Sequence, residues 1–146
     1  MRNDYPIPPE LAAEVADQLR YTENGLVAAI AQQHDGDDLG GNGQGGEVLM
    51  MAWMNRDAVI ETLTTGRVCY FSRSRSKLWR KGESSGQVQS LIDFRWDCDN
   101  DTVLVLVDQK GVACHTGRRN CFYKSVRGGE VTDIAAVEIS PDDLYG

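Results

Sequence analysis

Residues 88–107 read VQSLIDFRWDCDNDTVLVLV, and the period of this stretch decides the fold class. From Val88 to Cys98 the pattern is that of a pleated strand. Val88, Ser90, Ile92, Phe94, Trp96 and Cys98 face one side, and Gln89, Leu91, Asp93, Arg95 and Asp97 face the other. Thr102 to Val107 returns as a second β-rich run. If the extended form continues through the acidic link, Asp97, Asp99 and Asp101 project together and Cys98 projects away from them. The thiol and the carboxylates then serve separate sites.

The same link begins a set of metal-type side chains. Cys98, Cys114 and Cys121 follow the spacing C-x15-C-x6-C, and His115 directly follows Cys114. Thiolate and imidazole suit a borderline ion such as zinc, whereas clustered carboxylates suit Mg²⁺ or Ca²⁺, so the ligand types point to two different metals. The plainer alternatives are small core cysteines and a solvated acidic turn. Cys69, set among Val68, Tyr70 and Phe71, reads as a packed core thiol instead.

With 146 residues the chain fits one domain, 1–146, and the longest unbroken apolar run, Val48 to Met54, is far too short to span a bilayer. The first thirty residues carry Asp4, Glu10, Glu14 and Asp17 and show no secretory signal, which predicts a cytoplasmic location. In that reducing compartment the four cysteines are expected as free thiols or metal ligands. A net charge of −7 argues against general nucleic-acid binding. The charge is uneven, however. RSRSKLWRK, residues 73–81, holds Arg73, Arg75, Lys77, Arg80 and Lys81 without one acid, while residues 128–146 form an acidic tail, expected to be only partly ordered from Thr132 to Gly146.

Working outward, Pro9 and Glu10 suit the first turn of a helix whose stripe is Leu11, Val15 and Leu19. Leu26 to Gln32 predicts a strand, and Glu47 to Trp53 a buried one. Residues 33–46 between them are a glycine-rich surface loop, with a hairpin plausible there and His34 in solvent. Asn55 caps a helix over Arg56–Thr65 that Gly66 ends. Val68 to Ser72 resumes extended structure, Asp108 to Gly111 makes a turn, and Cys121 to Val126 is a last short strand.

EVLMMAWMNRDAV, YFSRSRSKLWRKGESSGQVQ, DCDND and ACHTGRRNCFY, in this order over about residues 25–127, resemble the phosphoribosyl-AMP cyclohydrolase family of histidine biosynthesis, in its monofunctional form. The resemblance implies hydrolysis of the N1–C6 bond of the adenine ring in 1-(5-phosphoribosyl)-AMP, zinc with a Mg²⁺ site nearby, and a homodimer with shared active sites. It also implies a barrel-like antiparallel sheet. The fold class expected is therefore β-dominated α+β, with the 56–65 helix packed on that sheet. The pyrophosphohydrolase domain that some relatives append needs about a hundred further residues and is not expected.

On this footing Cys98, Cys114 and Cys121 make an open zinc site with a fourth position for water, and His115 is the general acid/base rather than a ligand. By analogy Asp97, Asp99 and Asp101 hold Mg²⁺. The substrate carries two phosphomonoesters. Arg73, Arg75, Lys77, Arg80 and Lys81 offer forked and point-charge donors for them, Ser84 and Ser85 offer hydroxyls, and Trp79 either stacks on a base or packs in the core. Two rivals remain: a zinc nucleobase deaminase, whose H-x-E and P-C-x-x-C pattern is absent, and a zinc-stapled nucleic-acid-binding module built on residues 73–81.

Overall fold

A computed structural model describes residues 4–34 and 46–145. At its centre β1 (Val27–Gln33), β2 (Val48–Met54), β5 (Gln89–Trp96) and β6 (Thr102–Gln109) form a four-stranded sheet in the order β2-β1-β6-β5. Between them in sequence come α2 (Arg56–Thr65) and a hairpin of β3 (Cys69–Ser72) and β4 (Lys77–Arg80). Ahead of the sheet lies α1 (Pro9–Gln18). After it come a second hairpin, β7 (Lys124–Arg127) with β8 (Glu130–Asp133), and the short α3 (Pro141–Tyr145).

The expected antiparallel barrel is corrected on two counts. β1 and β6 run parallel, Ala29 facing Val103 and Ala31 facing Val105, so the sheet is mixed. Among the described residues it does not close. A period of two is the same in parallel and antiparallel strands, so sequence alternation carries no strand direction. The alternation itself holds in β1 and β6: Val27, Ala29, Ala31 and Gln33 point inward, as do Val103, Val105, Val107 and Gln109.

β5 departs from its predicted parity. The register against β6 shifts between Leu91 and Asp93, a bulge that puts Gln89 and Leu91 inside before it and Phe94 inside after it. Nor does the strand run on to Asp101. Asp97 N–H donates to the Thr102 carbonyl at 3.0 Å and Asn100 takes φ 66°, which closes a tight turn between β5 and β6.

α2 follows its signals. Asn55 Oδ1 accepts the Ala58 N–H at 2.8 Å, and Gly66 ends the helix at φ 77°. α1 buries the stripe predicted for it only in part: Leu19 is buried and Val15 packs against the core, but Leu11 does not. Ala12 and Ala16 are fully buried while Leu11 stays 44% exposed, because small side chains let α1 lie close on α2. His34, expected in solvent, is half-buried, and its N–H donates to the Val107 carbonyl. The rest of the predicted glycine-rich loop, residues 35–45, lies outside the described residues. The last predicted strand starts later, at Lys124. The acidic stretch is ordered through β8 to Leu144, which is buried.

Candidate active site

Three features converge near one edge of the sheet: the β3–β4 hairpin, the loop 81–87 and the loop 111–123. The second loop folds back on itself. Ala113 N–H donates to the Arg119 carbonyl at 2.9 Å, Cys114 N–H to the Arg118 carbonyl at 3.1 Å and Gly117 N–H to the Cys114 carbonyl at 2.9 Å. Cys121 N–H then donates to the Leu49 carbonyl of β2 at 2.7 Å, so the returning strand of the loop is pinned to the sheet. Cys114 and Cys121 thereby become neighbours. The Cys121 thiol is pushed up to about 12, first by the protein around it, then by the charge of Cys114 and a hydrogen bond with it, with Lys81 acting in the opposite direction.

A buried polar chain supports this loop from below. Tyr70 Oη donates to Gln89 Oε1 at 2.7 Å, Gln89 Nε2 donates to Gln109 Oε1 at 2.9 Å, and the Gln109 N–H donates to Gln33 Oε1 at 3.1 Å. Arg119 completes it, donating to Gln33 Oε1 and the Gly111 carbonyl at 2.7 Å each and to Glu47 Oε1 at 3.2 Å. Asn120 donates to the second Glu47 oxygen. Every member is satisfied, which is what makes a buried polar network rigid rather than costly. Residue-type reasoning missed Arg119 and Glu47 because one charge pair far apart in sequence leaves no local signal.

A cavity of about 760 Å³ opens beside the cysteine loop. Of the residues predicted to bind substrate, Arg73, Arg75, Trp79, Lys81, Ser84 and Ser85 line it, and His115 lines it too. Lys81 is the buried member, 5% exposed, and burial lowers its ammonium against the opposing pull of Cys121 and Cys114. Gly82 makes the turn into the serine loop: it holds φ 83°, and a β-carbon there would meet the Gln87 and Val88 backbone at 2.6 Å. Trp53, Phe71 and Tyr145 also line the cavity and were not predicted. The Arg73 guanidinium sits 5.1 Å from the Trp53 ring centroid.

Lys77 and Arg80 do not line this cavity. Pairing of Tyr70 with Trp79 and of Cys69 with Arg80 turns Trp79 and Lys81 to one face and Arg80 to the other. On that face Arg80 is held by Glu61 in a two-pronged ion pair at 2.7 and 2.8 Å. Cys69 is fully buried, and burial above all raises its thiol to about 12, as a packed core thiol requires.

The carboxylates gather elsewhere, on the β5–β6 turn. One ligand oxygen each from Asp97, Asp99 and Asp101 lies within 4.8 Å of the others, all three exposed. It is the turn, not the pleat, that brings them together: Asp97 Oδ1 accepts the N–H groups of Asp101 and Thr102 at 3.0 and 3.2 Å. Desolvation works to raise Asp97, but these two amide donors, together with side-chain hydrogen bonds with Asp101 and Asp99, outweigh it and hold the carboxyl below its usual range. Asp99 is pushed up, first by hydrogen bonding with Asp101, then by desolvation and its like-charged neighbours. Such crowding of negative charge favours a divalent cation, and the oxygen-only donor set suits a hard one.

Cys98 stands exposed on this turn. Among the described residues the three sulfurs of Cys98, Cys114 and Cys121 do not form one ligand cluster within a single chain. The reason is β6, whose eight residues run roughly 25 Å from the turn to the cysteine loop.

The sequence matches the family model described as phosphoribosyl-AMP cyclohydrolase over residues 50–123. It is 61% identical to the phosphoribosyl-AMP cyclohydrolase of Granulibacter bethesdensis, covering 92% of this chain and 98% of the relative. Identity is 60% to that of Paramagnetospirillum magneticum, over 92% and 95% of the two chains. For the Alcanivorax borkumensis protein of the same name it is 62%, over 91% and 87%. With that identity along nearly its whole length, and with the cavity and cysteine loop inside or flanking the matched segment, the chain belongs to the phosphoribosyl-AMP cyclohydrolase family of hydrolases.

Proposed function

We propose that this protein opens the adenine ring of 1-(5-phosphoribosyl)-AMP by zinc-dependent hydrolysis of the N1–C6 bond, giving the formimino carboxamide ribotide in histidine biosynthesis. One observation carries the reading: His115, Lys81, Arg73 and Arg75 meet on a single cavity of nucleotide size, and Lys81 joins that cavity to Cys114 and Cys121.

The donor set fits zinc. Burial above all, and then the neighbouring Cys114, hold Cys121 in its thiol form, and a borderline divalent cation reverses that preference. Cys114, Cys121 and Cys98 would hold zinc, and the chemistry it would supply is an acidified water for addition at the electrophilic C6. Arg73 and Arg75 pair with the phosphates, and Ser84 and Ser85 donate hydroxyl hydrogen bonds to the same groups. Trp79 offers a ring to the base. His115, exposed on the cavity wall, carries a proton to N1 as the bond to C6 breaks.

Cys98 comes from a second copy of the chain in this reading, since roughly 25 Å of β6 separate it from its own Cys114 loop. Asp97, Asp99 and Asp101 arrive on the same turn and hold Mg²⁺ beside a substrate phosphate. Apolar side chains left on the outside, Val126 at 77% and Val131 at 73% exposure, supply surface that association would cover.

The test is complementation. Cys98→Ser and Cys114→Ser chains, each inactive and zinc-deficient alone, are mixed by co-expression, and the ring-opening assay is run with metal analysis. Mixed pairs carry one intact site, so activity returns to about a quarter of wild type. No recovery would remove the shared site. Ammonia release in place of ring opening, or full activity without zinc, would overturn the reaction itself.

A further inference from the structure

The family match ends at residue 123, yet the cavity does not. Residues 134–145 return from β8 as a strap along the outer side of the cysteine loop. Arg118 Nε donates to the Ala135 carbonyl at 2.9 Å, and the same guanidinium lies 3.9 Å over the Tyr123 ring. The N–H groups of Glu138 and Ile139 both donate to the Gly117 carbonyl, at 2.8 and 3.1 Å. Gly117 permits this approach because it has no side chain; a β-carbon there would overlap the Ile139 carbonyl oxygen. α3 then turns on Ser140, whose carbonyl accepts the N–H groups of Asp143 at 2.9 Å and Leu144 at 3.0 Å.

The turn divides two adjacent side chains. Leu144 is buried, 7% exposed, and anchors α3, while Tyr145 is 57% exposed and forms part of the wall of the cavity that holds His115 and Lys81. A half-exposed tyrosine contributes little to the core, so its place on this wall is not explained by packing. The other groups on the wall sort by chemistry. Arg73, Arg75, Ser84 and Ser85 suit phosphate, whereas Trp53, Trp79 and Tyr145 present rings.

The geometry points to Tyr145 as a substrate-contact residue whose aromatic face packs on the purine ring, so that the strap outside the family-matched segment completes the nucleotide site. This rests on the proposed cyclohydrolase reading. The ring, not the hydroxyl, is the contact, and it acts on binding rather than on the proton transfer or the metal.

The experiment compares wild type, Tyr145→Ala and Tyr145→Phe in the ring-opening assay, with zinc content and thermal midpoint measured on each. Tyr145→Ala is expected to raise KM by about 5- to 100-fold, the range that base–aromatic stacking is worth, with kcat within about twofold and zinc and midpoint unchanged. Tyr145→Phe is expected to keep the wild-type KM. An unchanged KM in Tyr145→Ala overturns the proposal, as does a Phe variant as impaired as the Ala variant. A fall in kcat that tracks lost zinc also overturns it, because the strap would then only brace the loop. A wild-type protein inactive on phosphoribosyl-AMP is a different result: it would sink the cyclohydrolase reading before either variant is compared.

Discussion

Glu47 and Arg119, 72 residues apart in sequence, form a partly buried ion pair at 3.2 Å that ties the start of β2 to the loop carrying both adjacent cysteines. The side chains keep 19% and 13% of their exposure, and Arg119 has further acceptors in Gln33 and the Gly111 carbonyl. Glu47→Ala therefore leaves the guanidinium without its counter-charge but still hydrogen-bonded. We expect a loss of about 2 kcal/mol, less than for a fully orphaned buried charge, read from the urea midpoint. Because the pair orients the ligand loop, zinc should also be lost to a chelator about tenfold more readily.

Arg73 and Arg80 are seven residues apart in one basic run and have opposite fates. Arg73 lines the cavity, while Arg80 is held on the far face by Glu61. Arg73→Ala should raise KM about tenfold or more, the worth of a charge-assisted phosphate contact, and Arg80→Ala should leave KM where it is. Steady-state kinetics on the two variants checks this directly. Equal effects would show that the run acts as a diffuse field rather than through placed donors.

Asp99 gives a pH and metal dependence with a definite sign. Its carboxyl is raised by hydrogen bonding with Asp101, by desolvation and by its neighbours' charge, so its contribution favours the fold at low pH and is lost as pH rises through the raised value. Asp97, which is lowered, contributes the opposite way. At neutral pH without metal, Asp99→Asn should therefore raise the melting temperature slightly. Added Mg²⁺ should stabilise wild type and leave the variant unmoved, as scanning fluorimetry would report.

His115→Ala should keep its zinc while kcat falls by about 10² to 10⁴, the range of a general acid/base. Metal analysis beside turnover checks it. Zinc lost along with activity would instead make His115 a ligand or a brace.

Local signals were legible wherever one residue type suffices. Asn55 and Gly66 bounded α2 to the residue, and the clustering of Asp97, Asp99 and Asp101 was expected, though from a pleat where a turn produces it. What sequence could not carry was relational. The parallel pairing of β1 with β6 depends on intervening chain, the bulge at Leu91–Asp93 resets a parity that looked continuous, and the Glu47–Arg119 pair spans half the chain. α1 misled only at its start: Val15 and Leu19 reach the core as the apolar stripe predicts, yet Leu11 stays out and close helix contact adds Ala12 and Ala16.

The missing β-carbon at Gly117 makes this residue a joint between two stretches of chain, one inside the segment that matches the family model and one after it. Alanine at this position would prise the later stretch off its seat, with an injury felt 28 residues downstream at Tyr145, and at φ 87° it would also strain the turn that carries Cys114. The later stretch therefore keeps its seat on the cysteine loop only while nothing larger than hydrogen stands at position 117.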